Sequence, residues 1–163
     1  MDGAIAEFRE ALRLEPNYPA AHYGLGLTLY TKGDLDGAIA EFRQALRLQP
    51  DYPEAHLNLG STLYTKGDLD GAIAEFREAL RLQPSKVKAH YNLGVALKAK
   101  GDLDGAIAEY REALRRQPDY ALAHYGLGLA LMAKGNKVEA TRELAEAQRL
   151  DPKLKPPPNK PPQ

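Results

Sequence analysis

Three observations predict an all-α protein, an α-α superhelix built as a solenoid of antiparallel helix pairs. The string GDLDGAIAEF at Gly33 to Phe42 returns unchanged at Gly67 to Phe76, and again at Gly101 to Tyr110 with only the last aromatic exchanged, each copy 34 residues after the one before. Proline keeps the same beat at Pro16, Pro50, Pro84, Pro118 and Pro152, while glycine marks the opposite phase at Gly33, Gly67, Gly101 and Gly135. Between these breaks the apolar residues recur at helical spacing, with Leu25, Leu29 and Tyr30 on one segment and Ala38, Ile39, Phe42, Ala45 and Leu46 on the next. A helix with one apolar stripe cannot bury it alone, so successive pairs must stack into one continuous core.

The elements follow in order. Residues 1–18 align with the second half of the repeat, since Met1 to Phe8 matches Leu35 to Phe42, and read as the second helix of a truncated repeat. Full repeats are expected at 19–52, 53–86 and 87–120, with helices near Pro19 to Lys32 and Leu35 to Gln49 and at the same phase thereafter. In each Lys-Gly-Asp turn, glycine supplies the left-handed residue that closes a helix, and Asp34, Asp68 and Asp102 cap the next one. Residues 121–152 form a C-terminal capping repeat: Thr141 replaces Ile39, Ile73 and Ile107, and Gln148 replaces Leu46, Leu80 and Leu114, polar side chains suited to ending a stack in water. Residues 153–163 are a proline-rich tail that cannot continue a helix.

These repeats resemble the tetratricopeptide family, whose 34-residue unit carries Leu-Gly, an Ala-x-x-x-Phe pair and a closing Pro. The matching residues are Leu25, Gly26, Ala38, Phe42 and Pro50, and then Leu59, Gly60, Ala72, Phe76 and Pro84. They continue as Leu93, Gly94, Ala106, Tyr110 and Pro118, and as Leu127, Gly128, Ala140, Leu144 and Pro152. Histidine stands for the family's Trp in every unit, at His22, His56, His90 and His124. The resemblance implies a scaffold that binds a peptide or partner protein along the first helices. The fifth and twelfth positions of each unit then line a concave groove with Tyr23, Tyr30, Leu57, Tyr64, Tyr91, Lys98, Tyr125 and Met132. Asn58 and Asn92, at the sixth position, suit a ligand backbone, and Lys88 gives the groove a mildly basic character. Tyrosine joins a large contact area to a polar tip and loses little entropy when held.

Other chemistry finds little support. The 22 basic and 22 acidic residues give no net field to draw in nucleic acid, and no apolar run is long enough to span a bilayer. Glu7, Arg9, Glu10 and Arg13 interrupt any secretory signal, so a cytoplasmic protein is the expectation. Cysteine is absent. The four histidines belong to successive helix pairs about 8–10 Å apart, too far to share one metal ion, and are expected to pack at partly buried sites. Asp34-x-Asp36-Gly37 opens like a calcium loop, but the glycine comes too early and the twelfth residue is Ala45. No recurring acid and base surround Ser61 or Ser85, so neither an enzyme nor a cofactor is expected. Two rival readings stand beside the scaffold: a homo-oligomer assembled through the half repeat or the tail, and the non-catalytic targeting region of a larger enzyme.

Overall fold

In the computed structural model, residues 2–155 are described, and among them there are nine helices and no strand. Two compact units divide the chain, Met1–Pro84 and Ser85–Gln163. The first holds α1 (Asp2–Leu14), α2 (Pro19–Lys32), α3 (Leu35–Leu48), α4 (Pro53–Lys66) and α5 (Leu69–Leu82). The second holds α6 (Val87–Lys100), α7 (Leu103–Arg116), α8 (Ala121–Ala133) and α9 (Lys137–Leu150). The helix boundaries expected for the first full repeat are met at Pro19, Lys32 and Leu35, and the second helix stops one residue early, at Leu48.

Two residues separate α2 from α3, α4 from α5 and α6 from α7, and three separate α8 from α9. Gly33 has φ 88° and returns its N–H to the carbonyl of Tyr30, while the Asp34 N–H reaches back to Leu29. Asp34 therefore closes α2 and at once caps α3, its carboxylate accepting the Gly37 N–H at 2.9 Å. Asp68 and Asp102 repeat this at Gly71 and Gly105, and Asn136 takes the place at the start of α9. Left-handed geometry recurs at Gly67, Gly101 and Gly135, where a β-carbon would be strained.

Within a pair the helices meet through a large ring and a missing side chain. Phe42 is 0% exposed, and a β-carbon on Gly26 would come within 2.8 Å of its ring. Phe76 against Gly60 and Tyr110 against Gly94 repeat the contact, and Leu144 fills the place over Gly128. The alanines around these rings, Ala38, Ala45, Ala72, Ala79, Ala106 and Ala113, are all fully buried, which lets the helix backbones approach closely. Thr141 and Gln148 are exposed on α9, whereas Ile39, Ile73 and Ile107 are buried at the first of those two positions.

Candidate functional site: the first helices of each pair

In the first unit α2 and α4 lie side by side, each supported from behind by its own second helix. The expected site residues on them divide by depth. Tyr30 and Tyr64, one repeat apart in the last turns of α2 and α4, are 39% and 36% exposed. Tyr23 is half-buried, with its ring 5.9 Å from Phe42 and 4.9 Å from Tyr52, and Leu57 is buried in the core. Asn58 donates to the Tyr23 hydroxyl at 2.8 Å and to the Glu54 carbonyl at 3.0 Å. Both amide hydrogens are thereby used inside the unit, and it is the Asn58 carbonyl oxygen that can still accept from a ligand. Burial pushes the Tyr23 and Tyr52 phenols up from their ordinary range, and the Glu54 carboxylate adds to this at both, so they remain protonated donors at neutral pH.

The second unit offers α6 and α8 as neighbours. Lys88 is exposed in the first turn of α6, while Asn92 and Lys98 are half-buried farther along. Tyr91 packs 5.9 Å from Tyr110 and 5.2 Å from Tyr120, repeating the arrangement around Tyr23. Tyr125 donates its hydroxyl to the Lys155 carbonyl at 3.2 Å, and Met132 is half-buried near the end of α8. The remaining proline-rich tail, 156–163, lies outside the described residues.

At the sixth repeat position Asn58 and Asn92 stand between two glycines that sit against rings. Gly24 lies directly under the Phe8 ring, and a β-carbon on Gly126 would come 2.7 Å from Tyr110 Cζ, so a side chain at either place would displace the ring.

The histidines do more than pack. His22 Nδ1 sits 2.6 Å from Glu41, and its Nε2 sits 3.0 Å from the Pro16 carbonyl. His56 repeats both contacts with Glu75 and Pro50, and His124 repeats them with Glu143 and Pro118. His90 pairs with Glu109 at 2.7 Å. Each histidine thus ties its helix pair together, and His22, His56 and His124 also fasten the proline turn before them. Burial of His56 works against its positive charge, but the Glu75 hydrogen bond, the Pro50 carbonyl and the Glu75 and Glu78 charges outweigh that and raise its pKa above the ordinary histidine value. The partners were present in the sequence, since Glu41, Glu75, Glu109 and Glu143 follow the histidines at a constant 19 residues.

Among the described residues no group of three His, Asp or Glu side chains is placed to hold a metal, and no helix is long and apolar enough to cross a membrane. What the chain displays is an all-helical repeat architecture whose first helices carry exposed aromatic and basic side chains. It belongs to the tetratricopeptide repeat family: one family model described as "Tetratricopeptide repeat" matches residues 57–120 and 91–154, and another, "TPR repeat", matches 1–33 and 26–67. A crystal structure of MamA is similar, with a TM-score of 0.88 and 28% identity over 93% of this chain and 89% of that one. YrrB, described as a TPR protein with an unusual peptide-binding site, gives a TM-score of 0.82 and 26% identity over 93% of this chain and 78% of its own. Residues 41 to the end of MamA from Desulfovibrio magneticus RS-1 share the fold at 23% identity and a TM-score of 0.88, over 95% of this chain and 88% of that one. A search of curated proteins finds no match.

Proposed function

We propose that the chain is a non-catalytic scaffold that binds an extended peptide, or a segment of a partner protein, on the first helices of its repeats. The observation that carries this is the pair Tyr30 and Tyr64, large side chains left open at equivalent positions of neighbouring helices. Such rings are well suited to act as anchors, and their cost in lost rotamer freedom is small. The side-chain carbonyl oxygen of Asn58, on the same helix as Tyr64, accepts from a ligand's backbone N–H. In the second unit Lys88, Asn92, Lys98 and Tyr125 give a more basic face, which suits a ligand segment carrying carboxylates. YrrB, a structural neighbour with a peptide-binding site, supports a peptide as the class of ligand.

A random peptide library selected on the full chain tests this reading. Selected peptides should lose at least about tenfold in affinity, roughly 1.4 kcal/mol, on combined Tyr30→Ala and Tyr64→Ala substitution, with helicity unchanged. Equal loss from Arg43→Ala and Arg77→Ala, on second helices of the same unit, would move the site away from the first helices.

A further inference from the structure

In the second unit the segment that leaves α9 comes straight back to α8. Asp151 closes α9 with its N–H on the Ala147 carbonyl at 2.8 Å. Its carboxylate then accepts the Lys153 N–H and its carbonyl accepts the Leu154 N–H, each at 3.0 Å. This turn sets Lys155 beside Tyr125, whose hydroxyl donates to the Lys155 carbonyl at 3.2 Å. Leu154 is half-buried although it belongs to no helix.

The repeat accounts for the position of Leu154 and shows what differs at Lys155. Leu154 follows Tyr125 at the spacing by which Tyr52 follows Tyr23 and Tyr120 follows Tyr91, and those two tyrosines pack on the earlier rings at 4.9 and 5.2 Å. The residue after each of them, Pro53 or Ala121, opens a new helix that takes up its carbonyl. Lys155 instead lies outside any helix and precedes Pro156 in the sequence, so its carbonyl goes to a side-chain donor. An extended, proline-containing backbone makes no internal hydrogen bonds and leaves its carbonyls to such donors. Leu122, 40% exposed, and the half-buried Met132 stand three residues before and seven after Tyr125, on the same side of α8, and supply apolar area beside the hydroxyl.

We propose that the Tyr125 face of α8 recognises an extended, proline-containing segment by donating to the carbonyl that precedes the proline, and that Leu154 and Lys155 hold this place in cis until such a ligand displaces them. The inference rests on the second-unit part of the peptide-binding reading and adds the ligand's class and its built-in competitor. Aromatic faces suit proline-rich segments because these have little conformational freedom left to lose. A tethered segment acts at an effective concentration of about 1 mM, so a free peptide of about 100 μM intrinsic affinity is weakened roughly tenfold by it.

The probe is a fluorescein-labelled peptide of the chain's own Lys153 to Gln163 sequence. It is titrated by anisotropy into the full-length parent and into a full-length Leu154→Gly variant whose helicity is checked by circular dichroism. The variant is expected to bind it about tenfold more tightly than the parent, because the competitor in cis has lost its half-buried side chain. Leu154→Gly in the peptide should weaken binding several-fold, as should Tyr125→Phe added to the variant chain, which keeps the ring and removes only the hydroxyl. Equal affinity for the two chains, indifference to Tyr125→Phe, or no binding to the Leu154→Gly chain at about 1 mM overturns the inference. Because the chain has no cysteine, a nitroxide at Lys153→Cys is site-specific and reads the contact without altering Leu154. It should broaden the Tyr125 amide signal of its own chain. Equal broadening of isotope-labelled chains mixed with nitroxide-bearing ones would make a second molecule the occupant and overturn the assignment in cis. The peptide-binding reading fails on a different result, library peptides indifferent to Tyr30 and Tyr64, so the two are told apart.

Discussion

Phe8 and Phe42 hold the same repeat position in the same chain and differ chiefly in whether a helix of their own pair covers them. Phe42 is 0% exposed, pressed on Gly26 and 5.9 Å from the Tyr23 ring, so Phe42→Ala removes a buried ring and leaves an enclosed cavity. Substitutions of that kind cost about 3–5 kcal/mol. Phe8 is half-buried, with Gly24 beneath it. Full burial of a phenylalanine contributes about 1.5–3 kcal/mol, and half of that with no sealed cavity places Phe8→Ala at about 0.75–1.5 kcal/mol. Urea unfolding followed by far-UV circular dichroism measures both variants. Amide exchange in α2 and α3 separates fraying of the end from loss of the stack, since repeat arrays open locally. Equal costs for the two substitutions would refute the account of α1 as a half-covered helix.

Other consequences follow from the same geometry. Asp68→Ala removes the acceptor for the Gly71 N–H and should cost about 1 kcal/mol, read as a lower urea midpoint, with Asp68→Asn retaining most of it. The His56–Glu75 contribution should depend on pH. The folded pKa of His56 lies above its unfolded value, so the stabilisation is fully present below about pH 6.5 and is lost as pH rises through the folded pKa. The stability gap between the parent chain and His56→Gln should therefore narrow with rising pH, and a gap that widens would contradict the charged pair. Thr141→Ile with Gln148→Leu places two apolar side chains on an exposed strip of α9 and should raise association in light scattering. Unchanged scattering would remove the capping role of α9.

Helix boundaries were legible because glycine and proline break the chain for local reasons. Gly33 must adopt φ 88° and Asp34 must cap, whatever the rest of the fold does. The depth of each tyrosine was not legible, because it depends on partners in the next repeat. Tyr23 and Tyr91 meet the rings of Tyr52 and Tyr120, whereas Tyr30 and Tyr64, in the last turns of their helices, stay open. Tyr23, Tyr30 and Tyr64 look alike as groove residues in the sequence, and the structure separates a packing ring from two open ones. The histidine–glutamate pairs were written in the period but are invisible without knowing that residues 19 apart face each other across a helical hairpin.

Site-specific photocrosslinking tests the binding claim most directly. A benzophenone amino acid is placed at Tyr64, at Tyr30, or at Arg43 on the second helix between them, and each chain is irradiated with a library-selected peptide. Peptide adducts are expected from positions 64 and 30 and none above background from position 43. Adducts confined to position 43 would place the ligand on the second helices and contradict it.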